Sequence, residues 1–291
     1  ARHLHVFQRT ANFILPAGNA PMDPDRESTH KADYPARRKA AQHTPFGIGG
    51  FPPPTQSALD VPEDERNAAY EAKWQEGGSI SFLYTYTDLL TNQEANDTAA
   101  DFVRNKILGI VEDAETAELL CPNDHPMGTK RLVLDTGYYE TYNRDNVTLV
   151  NARKAPIEEI TPTGLRTADA EYEFDAIVFA TGFDAMTGAM KEIDLRGSGG
   201  LTIQDKWEGG PRTYLGLMVA DFPNMFVITG PGSPSVKANM IVAIEQHTDW
   251  IVDCLQHLRD KGVARFEATK QAEDNWVQHV NEVADSTLYP K

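Results

Sequence analysis

An apolar run from Met225 to Thr229 feeds straight into Gly230-Pro231-Gly232-Ser233-Pro234-Ser235, after which Met240, Ile244, Ile251, Leu255 and Leu258 recur at helical spacing as far as Gly262. A short strand, a tight loop and a long amphipathic helix form the unit from which open α/β sheets are built. A second apolar run, Phe174 to Ala180, reads as a buried strand and ends in Ala180-Thr181-Gly182-Phe183-Asp184. In such sheets ligands bind at the carboxyl ends of the strands. Glycine there lets a phosphate or ring approach the backbone, and free amides at a helix start favour negative charge. Taken singly, each loop is more often an ordinary turn or tight connection than a cofactor cradle. No G-x-G-x-x-G fingerprint occurs: Gly47-Ile48-Gly49-Gly50 runs towards prolines, and Gly197-Ser198-Gly199-Gly200 follows a charged segment.

The rest of the chain alternates in period. Leu4 to Gln8 reads as a strand, left by the polar loop Arg9-Thr10-Ala11-Asn12. From Pro16 to Pro62 the Pro, Gly and charge content predicts irregular chain with short helical pieces. A helix is predicted from Pro62, with Glu63, Asp64 and Glu65 in its first turn, to Gly77-Gly78. Ser79 is expected to cap a second helix carrying Ile80, Leu83, Tyr84, Leu89 and Leu90, and a third carries Ala99, Phe102, Val103, Ile107, Ile110 and Val111. Strands return at Val147 to Val150, and at Ile157 to Thr161 and Leu165 to Thr167 about a Pro162-Thr163-Gly164 turn.

Composition removes several classes of function. Lys plus Arg number 27 against 43 Asp plus Glu, a formal charge of −16 that repels phosphate backbones and anionic lipid, so neither a nucleic-acid nor a membrane role is expected. No apolar stretch is long enough to span a bilayer. Cys121 and Cys254 are the only cysteines and sit in no metal or disulfide spacing, which predicts no metal site and fits a reducing cytoplasm. The chain opens directly on a strand and stops at Tyr289-Pro290-Lys291, and we read it as a fragment. Lys130-Arg131 sits between a Pro126-Met127-Gly128-Thr129 turn and the apolar Leu132-Val133-Leu134, holding two cations near ordered structure. His247, Trp250 and Asp184 join no catalytic triad.

The order of these segments carries a resemblance. Val6-Phe7-Gln8-Arg9-Thr10-Ala11-Asn12-Phe13, Gly128-Thr129-Lys130-Arg131, Tyr138-Tyr139-Glu140-Thr141-Tyr142-Asn143-Arg144-Asp145-Asn146-Val147, Ala180-Thr181-Gly182-Phe183-Asp184 and Gly230 through Ser235 closely resemble the Baeyer–Villiger flavin monooxygenases, in the branch of the phenylacetone and cyclohexanone enzymes. The resemblance runs essentially end to end. It implies an α/β fold made of parts of two doubly wound, Rossmann-like domains with a mainly helical insertion. Residues 1–179 would be the C-terminal part of the NADP-binding domain, with the insertion at about 16–135, and residues 180–291 the second FAD-binding segment.

By the same resemblance Arg9, Thr10 and Lys130 correspond to contacts of the adenosine 2′-phosphate, and Arg131 to the active-site arginine beside the flavin. Ala180, Thr181, Gly182 and Asp184 mark the crossing back to the FAD domain, and Met240 places its backbone at the isoalloxazine. Ser235, Val236 and Lys237 bound the substrate space, where a lysine is unexpected. The implied cofactors are FAD and NADPH, and the implied partners a small ketone and O2. A ketone becomes an ester or lactone through a peroxyflavin, in a cytoplasmic enzyme that is monomeric when complete. The FAD and NADP glycine loops and the F-x-G-x-x-x-H-x-x-x-W-P linker of the family are absent, so the chain alone is expected to be inactive. The alternatives are a related nitrogen- or sulfur-oxygenating flavin enzyme and a non-catalytic remnant or binding module.

Overall fold

The computed structural model describes residues 2–233 and 238–290. Its strands are β1 (Leu4–Gln8), β2 (Ile14–Pro16), β3 (Val133–Asp135), β4 (Val147–Asn151), β5 (Ile157–Thr161), β6 (Gly164–Thr167) and β7 (Glu171–Glu173). The helices are α1 (Pro24–Ala32), α2 (Tyr34–Ala41), α3 (Glu63–Glu76), α4 (Ser79–Leu83), α5 (Gln93–Ile110), α6 (Ala114–Leu120), α7 (Tyr138–Thr141), α8 (Gly188–Lys191), α9 (Ile203–Lys206), α10 (Met240–Asp260) and α11 (Lys270–Asp285). Two compact units divide them: Ala1–Pro21, Phe51–Ala180 and Thr287–Lys291 form the first, and Met22–Gly50 with Thr181–Ser286 the second.

In the first unit β1 pairs with β4 and β2 with β3, both parallel, while β5, β6 and β7 form an antiparallel sheet. Its core gathers Phe13 and Leu15 around β2 with Val103 and Ile107 of α5, Tyr70 of α3 and Phe82 of α4. Helix α3 keeps the expected borders, with Pro62 before its first residue and Gly77 after its last, at a φ of 78° that favours glycine. Helix α5 starts on an Asn92 cap whose side chain accepts from the amides of Glu94 and Ala95, and buries Ala95, Ala99, Val103 and Ile107 on one face. Ser79 does not cap: it is the first residue of α4, and its helix ends at Leu83, short of Leu89 and Leu90. A preceding Gly78 at φ 94° supplies no side-chain oxygen, which leaves the short helix to be held by packing of its buried Phe82 and Leu83.

The second unit buries Ile203 of α9 and Trp207, which follows that helix, against Val219 and Phe222. Beside this cluster Glu273 of α11 is fully buried as a charge. Its carboxylate accepts the Ala220 amide at 2.9 Å and faces Lys206 Nζ at 3.0 Å and Arg212 Nε at 3.7 Å. A buried carboxylate needs such partners, because an unpaired one is strongly destabilising.

Two expected strands do not form. Residues 176–180 take no ladder, and Val178 and Phe179 stand 87% and 67% exposed. Met225 to Thr229 makes isolated bonds only, such as Val227 N to Leu217 O at 2.8 Å. A strand is a property of a pair: apolar composition supplies a face but not the neighbouring N–H and C=O groups, and no described strand pairs with either segment. Helix α10 spans the predicted spacing, yet only Ala243 and His247 are buried on it and Leu255 is exposed. No described helix is long and apolar enough to cross a membrane.

Candidate functional site

Because β1 and β4 run parallel in the register Leu4 to Val147 through Gln8 to Asn151, their carboxyl ends coincide. Beyond β4 the Ala152 amide still donates to Gln8 O at 2.9 Å. The Asn151 side chain then turns the chain by accepting from the amides of Arg153 and Lys154, each at 3.1 Å. Beyond β1 the chain crosses through Arg9 to Asn12 and continues into β2, whose Ile14 pairs with Val133. Asn12 ties the segments leading into β2 and β3 to each other: its Nδ2 donates to the Arg131 carbonyl at 3.1 Å, and its Oδ1 accepts the Phe13 amide at 2.9 Å. Parallel pairing therefore brings Arg9-Thr10 and Lys130-Arg131 to one end of the sheets.

Buried Asn96 of α5 fixes the turn ahead of Lys130. Its Nδ2 donates to Leu89 O and Met127 O at 2.7 and 2.8 Å, and its Oδ1 accepts the Met127 amide at 2.8 Å. All three bonds are buried, so the turn is rigidly placed.

A cleft of about 170 Å³ opens at the shared strand ends, lined by Arg9, Thr10, Leu119, Cys121, Asp124 and Arg153 among others. Arg153 Nη2 donates to Thr10 Oγ1 and to Asp124 Oδ2, both at 3.1 Å. Asp124 Oδ1 also meets His125 Nδ1 at 2.7 Å and lies 3.9 Å from Lys130 Nζ. The bond with His125 holds the Asp124 carboxyl below the usual range, with Arg153 and Lys130 adding to the effect and burial opposing it. Burial pushes the Cys121 thiol up to about 11, so it lines the cleft as a neutral group and not as a nucleophile. Glu118 adds a second carboxylate to the wall. The fit to an anion lies in Thr10: a guanidinium fills one lone pair of its hydroxyl, leaving the O–H free to donate onward.

Of the residues singled out in the sequence, Arg9 and Thr10 line this cleft and Lys130 lies near Asp124, whereas Arg153 and Asp124 were not singled out. The available signal was position, since Arg153 follows a predicted parallel strand by only a few residues; Asp124 gave none, as one of many surface acids.

Ala180, exposed, closes a segment of the first unit, and Thr181, Gly182 and Asp184 open the second, also exposed. Gly182 has φ 88° and open space where a Cβ would stand, so the backbone there is free to be approached. Asp184 packs its side chain on Gly188, where an added Cβ would meet the Asp184 Cβ at 2.7 Å. Met240 is the first residue of α10, behind an Asn239 cap that accepts from the Ile241 amide at 3.1 Å.

The preceding turn is built tightly. Gly230 N donates to Gly216 O at 3.0 Å, Thr213 Oγ1 to Pro231 O at 2.6 Å and Trp276 Nε1 to Gly232 O at 3.0 Å. The Thr229 amide donates to His247 Nδ1 at 2.9 Å, and burial lowers the His247 pKa, which keeps the ring neutral and able to accept. His247 is thus a structural acceptor. Ser235, Val236 and Lys237 lie outside the described residues.

A cation-lined cleft at the joint carboxyl ends of β1 and β4 lies where open α/β sheets of the doubly wound class bind their ligands. No family model matches the chain. It is 43% identical, over all of its length and 53% of the relative's, to a Baeyer-Villiger monooxygenase of Pseudooceanicola batsensis. The structure of OTEMO in complex with FAD and NADP superposes with a TM-score of 0.96 at 41% identity, over 100% of this chain and 54% of that one. A phenazine N-monooxygenase of Lysobacter antibioticus is 38% identical over 100% of this chain and 53% of its own. The chain belongs to the Baeyer–Villiger flavin monooxygenase family. It spans about half the length of the curated relatives it matches.

Proposed function

We propose that the chain is a fragment of an FAD- and NADPH-dependent monooxygenase that converts ketones to esters or lactones with O2, the activity belonging to the complete enzyme. The observation that carries this reading is the cleft beyond β1 and β4, which Arg9 and Thr10 line and where Lys130 Nζ lies 3.9 Å from Asp124. Residues 1–179 serve as the NADP-binding part, with its insertion at about 16–135, and 180–291 as a FAD-binding segment. NADPH when bound supplies hydride, and FAD with O2 the inserted oxygen.

The chain's residues position and stabilise. Arg9 and Lys130 offer positive charge to a 2′-phosphate, and the Thr10 hydroxyl donates to it. The open backbone at Thr181-Gly182, with Ala180 and Asp184, and the start of α10 at Met240 border the flavin. Ser235, Val236 and Lys237 bound the ketone. Arg131 holds positive charge where negative charge builds on oxygen. We place the protein in the cytoplasm as a monomer.

A second reading, oxygenation at nitrogen, draws on the likeness to the Lysobacter enzyme. Coenzyme choice tests the cleft: turnover with NADPH should exceed that with NADH by about tenfold or more, the scale of a charge-assisted contact. Equal turnover with both would remove the 2′-phosphate assignment.

A further inference from the structure

At the amino end of β1, away from the cleft, we infer that His3 and His5 form a two-imidazole site for a divalent ion of the nickel, copper and zinc group. One residue separates them, the interval at which side chains of extended chain leave the same face. Their ring centroids stand 4.4 Å apart with the planes inclined at 35°, so the rings lie side by side. The cysteines, on which metal spacing was judged in the sequence, take no part.

Each ring is oriented by a different neighbour. Thr148 of β4 pairs with His5 in the register and places its Oγ1 2.8 Å from His3 Nε2. That bond leaves His3 Nδ1 as the nitrogen open to a metal, in the way an outer hydrogen-bond partner selects the ring nitrogen that ligates. His5 packs edge-on against Tyr172 at 5.3 Å and lies 5.4 Å from Phe174. Among the described residues neither ring makes a further hydrogen bond or an ion pair. Burial, and then the neighbouring His3, hold the His5 pKa below its ordinary value, so that ring is neutral at pH 7 and keeps a lone pair for a ligand.

Two imidazoles without a carboxylate select nitrogen-preferring metals over Mg(II) or Ca(II), which take oxygen. Zinc–nitrogen bonds of about 2.0–2.1 Å in tetrahedral geometry require the two nitrogens about 3.3 Å apart. The exposed His3 ring reaches that spacing by a small rotation. Among the described residues no third His, Cys, Asp or Glu completes a ligand set, so water fills the remaining positions and the ion stays open to exchange. The formal charge of −16 favours accumulation of cations around the chain. The cleft begins past Gln8, roughly 20 Å along the strand from His3, and the two sites do not overlap.

The test is calorimetric titration of the full chain with Zn(II), and with Mg(II) as the oxygen-preferring control, in the wild type, His3→Gln and His5→Phe. Each replacement should weaken Zn(II) binding by at least about tenfold, the loss that removal of even an outer-shell partner brings, and Mg(II) should give no heat of binding. His3 is exposed, so its replacement leaves the fold intact, and phenylalanine keeps a ring against Tyr172 at position 5. The unaltered chain supplies a readout that needs no variant: Zn(II) should protect His3 and His5 together from acylation by diethyl pyrocarbonate, mapped by mass spectrometry. Loss of affinity in His3→Gln with full affinity in His5→Phe would mean that His3 ligates without His5, and the pair falls. Absence of Zn(II) binding in the wild type, undiminished affinity in both variants, Mg(II) bound as tightly as Zn(II), or equal acylation with and without Zn(II) would each overturn the site.

Discussion

Replacing Gly216 by alanine should destabilise the second unit by about 2–4 kcal/mol, the sum of a left-handed backbone penalty and forced overpacking. Gly216 has φ 69°, and an added Cβ would stand 2.2 Å from Ser233 Cβ and 3.1 Å from Gly230 O. Neither contact belongs to the far end of a flexible chain, so relief requires the Gly230 to Ser233 turn to move. That turn is pinned from three sides by Gly216 O, Thr213 and Trp276, and cannot shift without breaking buried bonds. Urea denaturation followed by tryptophan fluorescence reads the effect, with Trp207 and Trp276 inside the unit. A loss below roughly 0.5 kcal/mol, the ordinary range for surface substitutions, would mean that the turn is not held as described.

Arg131→Ala should lower ketone oxygenation about 100- to 1000-fold, equivalent to roughly 2.7–4 kcal/mol of lost stabilisation of developing charge. Coenzyme binding should persist, because Arg9 and Thr10 lie on the separate segment after β1 and Asn96 holds the turn ahead of Lys130 through backbone groups. The Asn12 bond also engages the Arg131 carbonyl and not its side chain, so truncation leaves the local backbone tied. NADPH oxidation and ester formation are measured in parallel: the first should continue while the second fails. Undiminished ester formation would remove Arg131 from the reaction.

What the sequence disclosed follows from where the physics is local. Helix α3 could be bounded because Pro62, the acidic first turn and Gly77 act within a few residues, and β1, β4, β5 and β6 could be found from apolar runs broken by turn residues. Strand pairing is non-local, which is why 174–180 and 225–229 read as buried strands yet have no ladder among the described residues. Helix α11 is amphipathic, yet its one fully buried residue is Glu273, made tenable by Lys206 and Arg212 far away in sequence. The cleft was half legible. Arg9, Thr10 and Lys130 emerged through likeness of motif, whereas the Thr10–Arg153–Asp124 chain joins residues more than a hundred positions apart and exists only once β1 lies beside β4.

Insertion of oxygen beside a ketone carbonyl is read by product analysis of the native protein given cyclohexanone, FAD and NADPH under ¹⁸O2. A lactone carrying one labelled oxygen atom should form with NADPH consumption. Unchanged ketone, alongside labelled N-oxide from a phenazine under the same conditions, would contradict it.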